Sequence, residues 1–198
     1  MKVPLRYQLS EFDCGPTSLL NAVSYLFDSE EIPPDIIRGI MLYCLDGFGP
    51  EGISGMTGTS ATAMMFLSNW LTAYGKTGRL PLSSRYLAGE EVHFRPGSTV
   101  TEALRRGGVA VQRLYLDVGH YILLTGVEED NILAFDPYYW EGDYDDPAVQ
   151  QVCDHPAAYN RIIPMRVLES ESQEDYALGP VALRETVLLF NDGAKSAT

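Results

Sequence analysis

From residue 14 onward, Leu19, Leu20, Ala22, Val23, Leu26 and Phe27 recur at a spacing of about 3.6, which predicts an amphipathic helix opening at Cys14 with Asp13 as its cap. Cys14 lies off that stripe, on a face with Ser18, Asn21 and Tyr25. A cysteine kept for packing belongs among the leucines, so the offset favours chemistry.

Pro33 and Pro34 predict a loop followed by a short helix in which Cys44 packs. Turn residues crowd FGPEGISGMTGTS, and the next helix turns Met64, Leu67 and Leu71 inward until Gly75 ends it. Glu91 to Arg95 reads as a short strand, and Thr99 with Glu102 as a capping box for a helix stopped by Gly107 and Gly108. The pattern then turns to β in VAVQRLYL, HYILLTGV and NILAFDPYY, the last two joined by the acidic turn EEDN as an antiparallel hairpin. Further strands around RIIPMRVL and TVLLF extend the sheet, and the small polar residues 193–198 are expected to fray. Helices first and antiparallel strands later predict an α+β fold with two lobes around a cleft.

The 198 residues suit one domain, 1–198, with no linker in view. The opening MKVPLRYQ lacks an apolar run behind its basic residues, so neither a signal peptide nor a membrane span is expected, and the protein is placed in the cytoplasm. Three well-separated cysteines without a CxxC pair predict neither a disulfide framework nor zinc. No metal or cofactor is expected. A net charge of −13 repels phosphate backbones, which excludes a nucleic-acid partner and suits a neutral or basic peptide.

A thiol attacks a carbonyl as the thiolate, which a helix N-terminus favours. It needs a base, and histidine titrates in the right range. His120 opens one strand of the hairpin and Asp136 closes the other, so the turn brings base and orienting carboxylate toward its open end. Gln8 offers a side-chain N–H and Cys14 a backbone N–H, two donors for an oxyanion hole. His93 reads as a surface residue at a strand end. Cys153 and His155 fall in a loop with no further ligands at useful spacing. YYWEGDYDD, just after Asp136, is either a solvated loop or an acidic rim on the cleft.

Gln8, Cys14-Gly15-Pro16, Gly119-His120 and Asp136-Pro137, in that order, resemble the papain-like cysteine peptidases of the bacteriocin-processing, double-glycine-leader family. The resemblance spans residues 5–140 and leaves 141–198 as a C-terminal extension with added strands. It implies a papain-like fold, with a helical N-terminal lobe on an antiparallel sheet lobe, and a stand-alone peptidase acting on a peptide or precursor peptide. Cys14, His120 and Asp136 would be catalytic, with Gln8 in the oxyanion hole. The same acyl-enzyme also permits acyl transfer or deamidation, and a non-catalytic peptide-binding subunit is the third alternative.

Overall fold

The computed structural model describes residues 2–194. In chain order its elements are α1 (Cys14–Leu26), α2 (Pro34–Cys44), α3 (Ala61–Gly75), β1 (Leu82–Ala88), α4 (Thr99–Arg105), β2 (Val109–Leu116), β3 (Val118–Glu128), β4 (Asn131–Phe135), β5 (Gln150–Gln151), β6 (Arg161–Pro164), α5 (Met165–Leu168) and β7 (Glu185–Asn191). The strands form one antiparallel sheet in the order β1-β7-β2-β3-β4-β6-β5. The fold is α+β, as the change of period predicts.

Alternation along the strands divides the apolar residues between two cores. Val109, Val111, Leu123, Phe135, Val187 and Leu189 join α1, α2 and α3 in the first. Ala110, Leu114, Ile122, Ile132 and Leu188 join Val100 and Leu104 of α4 in the second. The hairpin forms as expected: Glu128 pairs with Asn131, and Glu129 turns the chain at φ 53°. Its register shifts between Leu124 and Gly126.

Three local expectations need correction. Residues 92–95 form no strand; the neighbouring strand is β1, whose buried positions Leu82 and Leu87 stand five apart and so hide a period of two. The cap of α4 is Ser98, not Thr99, and its Oγ accepts from the amides of Val100 and Thr101 at 3.2 and 3.3 Å. RIIPMRVL is a strand only to Pro164, after which Met165 begins α5. Gly75 does close α3, for a steric reason: a Cβ there would stand 1.8 Å from the Leu82 carbonyl oxygen where helix meets β1.

Strand β7 does not extend an edge but lies between β1 and β2. Among the terminal residues expected to fray, Gly193 and Ala194 donate to Asn191 Oδ1 at 2.9 and 3.1 Å, and 195–198 lie outside the described residues.

The face of α1 that carries Cys14 is buried as well, so lying off the apolar stripe does not set Cys14 apart from the core. Ser18 and Asn21 are buried, and Cys14 joins the first core at 7% exposure. Ser18 Oγ donates to the Tyr121 carbonyl at 3.0 Å. Asn21 brackets Arg6, accepting from its amide and donating to its carbonyl, both at 2.8 Å. These bonds satisfy the polar groups that the sheet and the N-terminal segment cover.

Candidate active site

Cys14 is the first residue of α1, so its amide and that of Gly15 have no acceptor inside the helix, and Pro16 has no N–H to offer. The Asp13 carboxylate does not cap the helix. It accepts instead from the amides of Leu9 and Ser10 at 3.1 and 2.7 Å and from Ser10 Oγ at 2.7 Å. Asp13 therefore shapes the turn between Gln8 and Cys14.

Gln8 is anchored at both ends. Its backbone amide donates to the Pro137 carbonyl at 2.8 Å, which ties it to the chain just past Asp136. Its side-chain Nε2 donates to the Ser10 carbonyl at 2.8 Å, while Oε1 is buried with no partner among the described residues. One N–H orients the amide, and the other is left for a ligand.

The hairpin delivers the pair that the sequence suggests. His120 Nε2 and Asp136 Oδ1 stand 2.8 Å apart, with the two residues 6% and 1% exposed. With Nε2 engaged, Nδ1 is the ring nitrogen left for the Cys14 thiol, which is close enough to help raise the pKa of the imidazole. Burial pushes the imidazolium's pKa down, but the Asp136 charge and hydrogen bond, joined by the Cys14 thiol, outweigh it and raise the value to about 10. For Asp136, burial pushes up, while His120, the Tyr138 amide and the Tyr176 hydroxyl pull down further, so its carboxyl ends below the ordinary 3.8. An imidazolium beside a sulfur at a helix N-terminus is the arrangement that a thiolate nucleophile requires.

Two partners of Asp136, and a third residue behind one of them, escaped the sequence reading, all from the segment beyond 140. Asn160 Oδ1 accepts from the Asp136 amide at 2.8 Å, and Asn160 Nδ2 donates to its carbonyl at 2.9 Å. Tyr176 Oη donates to Asp136 Oδ2 at 2.7 Å. Arg161 Nε donates to Tyr176 Oη at 3.1 Å. The signal that was present is the return of β6 beside β4, which carries Asn160 to Ala134 and so to the neighbouring Asp136.

The remaining candidates lie apart from this group. Cys44 is fully buried beside Thr59 Oγ1 at 3.4 Å, and burial drives its thiol up to about 12. His93 is half-buried, with its carbonyl accepting from Ser98 Oγ. Cys153 and His155 are exposed, and His155 stacks on Tyr159 at 4.4 Å. In the acidic run, Asp146 pairs with Arg166 and Asp145 accepts from the Asp175 amide at 3.0 Å. Glu141 accepts from Tyr139 Oη, and Tyr139 packs on Tyr7 at 5.5 Å, next to Gln8. The run thus meets the site at two points, through Tyr139 beside Tyr7 and through Tyr144, whose ring lies 5.1 Å from that of Tyr176. No helix is long and apolar enough to cross a membrane among the described residues.

No protein-family model matches the chain, and no curated protein matches it. Among the solved structures it resembles are two peptidases. One is a double-glycine-motif protease from an AMS/PCAT transporter, solved in complex with the leader peptide; the alignment covers 96% of this chain and 90% of that one, at 15% identity and a TM-score of 0.46. Another is the peptidase domain of Streptococcus mutans ComA, covering 94% of this chain and 98% of that one, at 11% identity and a TM-score of 0.41.

Proposed function

We propose that this chain is a cysteine peptidase that cleaves a peptide or leader-peptide bond through an acyl-enzyme on Cys14. The observation that carries the reading is the buried His120–Asp136 pair at 2.8 Å, with the Cys14 thiol at a helix N-terminus acting on the same ring. In this reading the Cys14 thiolate attacks the scissile carbonyl carbon. The oxyanion is held by the Cys14 amide and the free Nε2–H of Gln8. As the tetrahedral intermediate collapses, the C–N bond breaks and His120 gives its proton to the departing amine. Water then attacks the thioester, His120 takes a proton from it, and the acid product leaves with Cys14 restored as thiolate. Asp136 keeps the ring oriented and the imidazolium stabilised throughout.

Incubation with a diverse peptide library, with Cys14→Ala as control and products read by mass spectrometry, tests this. Products lighter than their parents, formed only by the wild type, support hydrolysis. Products joined to an amine would move the same site to acyl transfer. Identical mixtures from wild type and variant would overturn the enzymatic reading.

A further inference from the structure

Resting on that reading, we infer that Tyr176 and Arg161 are positioning residues of the site: together they fix the second oxygen of Asp136 and limit how tightly that carboxylate holds the His120 proton. The geometry is a chain of donors ending in a buried cation. Asp136 Oδ1 accepts from His120 Nε2 and from the Tyr138 amide, both at 2.8 Å, so that oxygen is fully engaged. Oδ2 accepts from Tyr176 Oη at 2.7 Å, and Tyr176 Oη accepts from Arg161 Nε at 3.1 Å. Arg161 Nη1 donates to the Asn160 carbonyl at 2.8 Å, and the guanidinium lies 5.5 Å from the centre of the Tyr144 ring.

Two features make this more than packing. Arg161 is 1% exposed, yet among the described residues no carboxylate lies within ion-pair distance of it. The carboxylate it reaches, through one hydroxyl, is Asp136. A buried guanidinium costs far more than an apolar side chain of similar size, so simple filling does not account for it. Tyr176, a bulky residue, is also held at φ 65°, where side chains other than glycine are uncommon. Its amide donates to the Tyr115 carbonyl at 2.7 Å, and Tyr115 donates back to Ala177 at 2.9 Å, so β2 holds the unusual backbone in place. Strain of this kind concentrates at functional positions.

When His120 loses its proton, Asp136 becomes an uncompensated buried anion. A donor chain ending in a fixed positive charge stabilises that state more than the neutral ion pair, and so opposes the pull of Asp136 on the proton. The other titratable groups around the pair are Cys14 from α1, Tyr138 beyond β4, Tyr144, and Asp175, whose carboxyl is raised by burial, Asp145 and Asp136 itself. Among these and the two positioning residues, Arg161 is the permanent cation.

The test follows the His120 ring signals by NMR against pH in the full chain. Tyr176→Phe should raise the His120 titration midpoint by about one pH unit, and should lower kcat about tenfold with KM unchanged. Arg161→Met should move the midpoint in the same direction. The double variant, which removes both polar partners and protects against misfolding of either single one, should go no further than the larger single effect. A folded Tyr176→Phe protein and a folded double variant that both titrate like wild type would overturn the inference. The titration needs no turnover. Absence of peptide cleavage would therefore overturn the peptidase reading while the midpoint still decides the role of Tyr176 and Arg161.

Discussion

The protein buries two carboxylates with similar care and, in our reading, uses only one of them in chemistry. Glu185, 5% exposed at the start of β7, receives Tyr121 Oη on Oε1 at 2.6 Å and Tyr86 Oη on Oε2 at 2.7 Å. Asp136, 1% exposed, receives His120, the Tyr138 amide and Tyr176. Burial and hydrogen bonding do not separate the two sites. The donors do. Both phenols at Glu185 have their pKa driven up, first by burial and then by the carboxylate, so they keep their protons throughout the working range. At Asp136 one donor is an imidazole, whose proton can leave and return, and a thiol stands on its far side. A buried carboxylate becomes a working group when its partner can trade a proton.

The sharpest way to break this comparison is by replacement. His120→Ala and Cys14→Ala should each lower turnover on the order of 10⁴-fold or more, whereas Glu185→Gln should leave it near wild type in a steady-state assay. Loss of turnover in a folded Glu185→Gln protein would place both carboxylates in the chemistry. Asp136→Ala should come next, on the order of 10³-fold, and Asp136→Asn should be milder because an amide oxygen can still accept the ring N–H. Equal losses would mean that the charge, rather than the orientation, is what counts. Gln8→Ala should lower kcat by about 10²-fold to 10³-fold without changing Cys14 alkylation, since an oxyanion donor acts on the transition state. Wild-type kcat would make Gln8 a purely structural link to Pro137.

Stability sharpens the same contrast at a smaller scale. His120 has its pKa raised from the ordinary 6.5 to about 10, so its contribution is complete below 6.5 and is lost as pH rises through 10. Asp136 is lowered, so its contribution is present above 3.8 and is lost as pH falls through its depressed pKa. The Tm difference between wild type and His120→Gln should therefore be greatest near pH 5 to 6 and shrink steadily toward about pH 10. Tyr121→Phe should destabilise by about 1 to 3 kcal/mol, with no change between about pH 6 and pH 9, because its phenol stays protonated there. A curve for His120→Gln as flat as that for Tyr121→Phe would erase the distinction.

Much of this was legible in the chain, and the reasons for the exceptions are physical. Cys14 at a helix start and the hairpin carrying His120 and Asp136 follow from local periodicity and one short turn, which sequence encodes directly. The role of the segment beyond 140 does not. Asn160 and Tyr176 reach Asp136 across 24 and 40 residues, through strand pairing and a left-handed backbone that no periodicity marks. Ser18 and Asn21 look solvent-facing by period and are buried because a strand carbonyl and the Arg6 backbone match them. Asp13 resembles a cap in sequence, but two nearby amides and a hydroxyl compete for its carboxylate.

The smallest effect concerns substrate charge. The net charge of −13 predicts a preference for basic peptides; in the acidic run Asp145 and Asp146 are engaged elsewhere, and Glu141, bonded to Tyr139, is the carboxylate held beside Tyr7. A few-fold higher kcat/KM for peptides with added Lys should fade as ionic strength rises from about 0.01 to about 0.15 M and the Debye length falls from roughly 30 to roughly 8 Å. A preference that ignores salt would lie in short-range contacts instead.

The central claim is that Cys14 is a nucleophile activated by His120, and competitive alkylation of the native protein addresses it most directly. Cys153 is exposed while Cys14 and Cys44 are buried, so labelling governed by access alone would proceed at Cys153 first. With iodoacetamide at neutral pH and peptide mapping, Cys14 should instead react fastest, Cys44 should stay protected, and His120→Ala should remove the Cys14 advantage. Fastest labelling at Cys153, with Cys14 as protected as Cys44, would contradict the account.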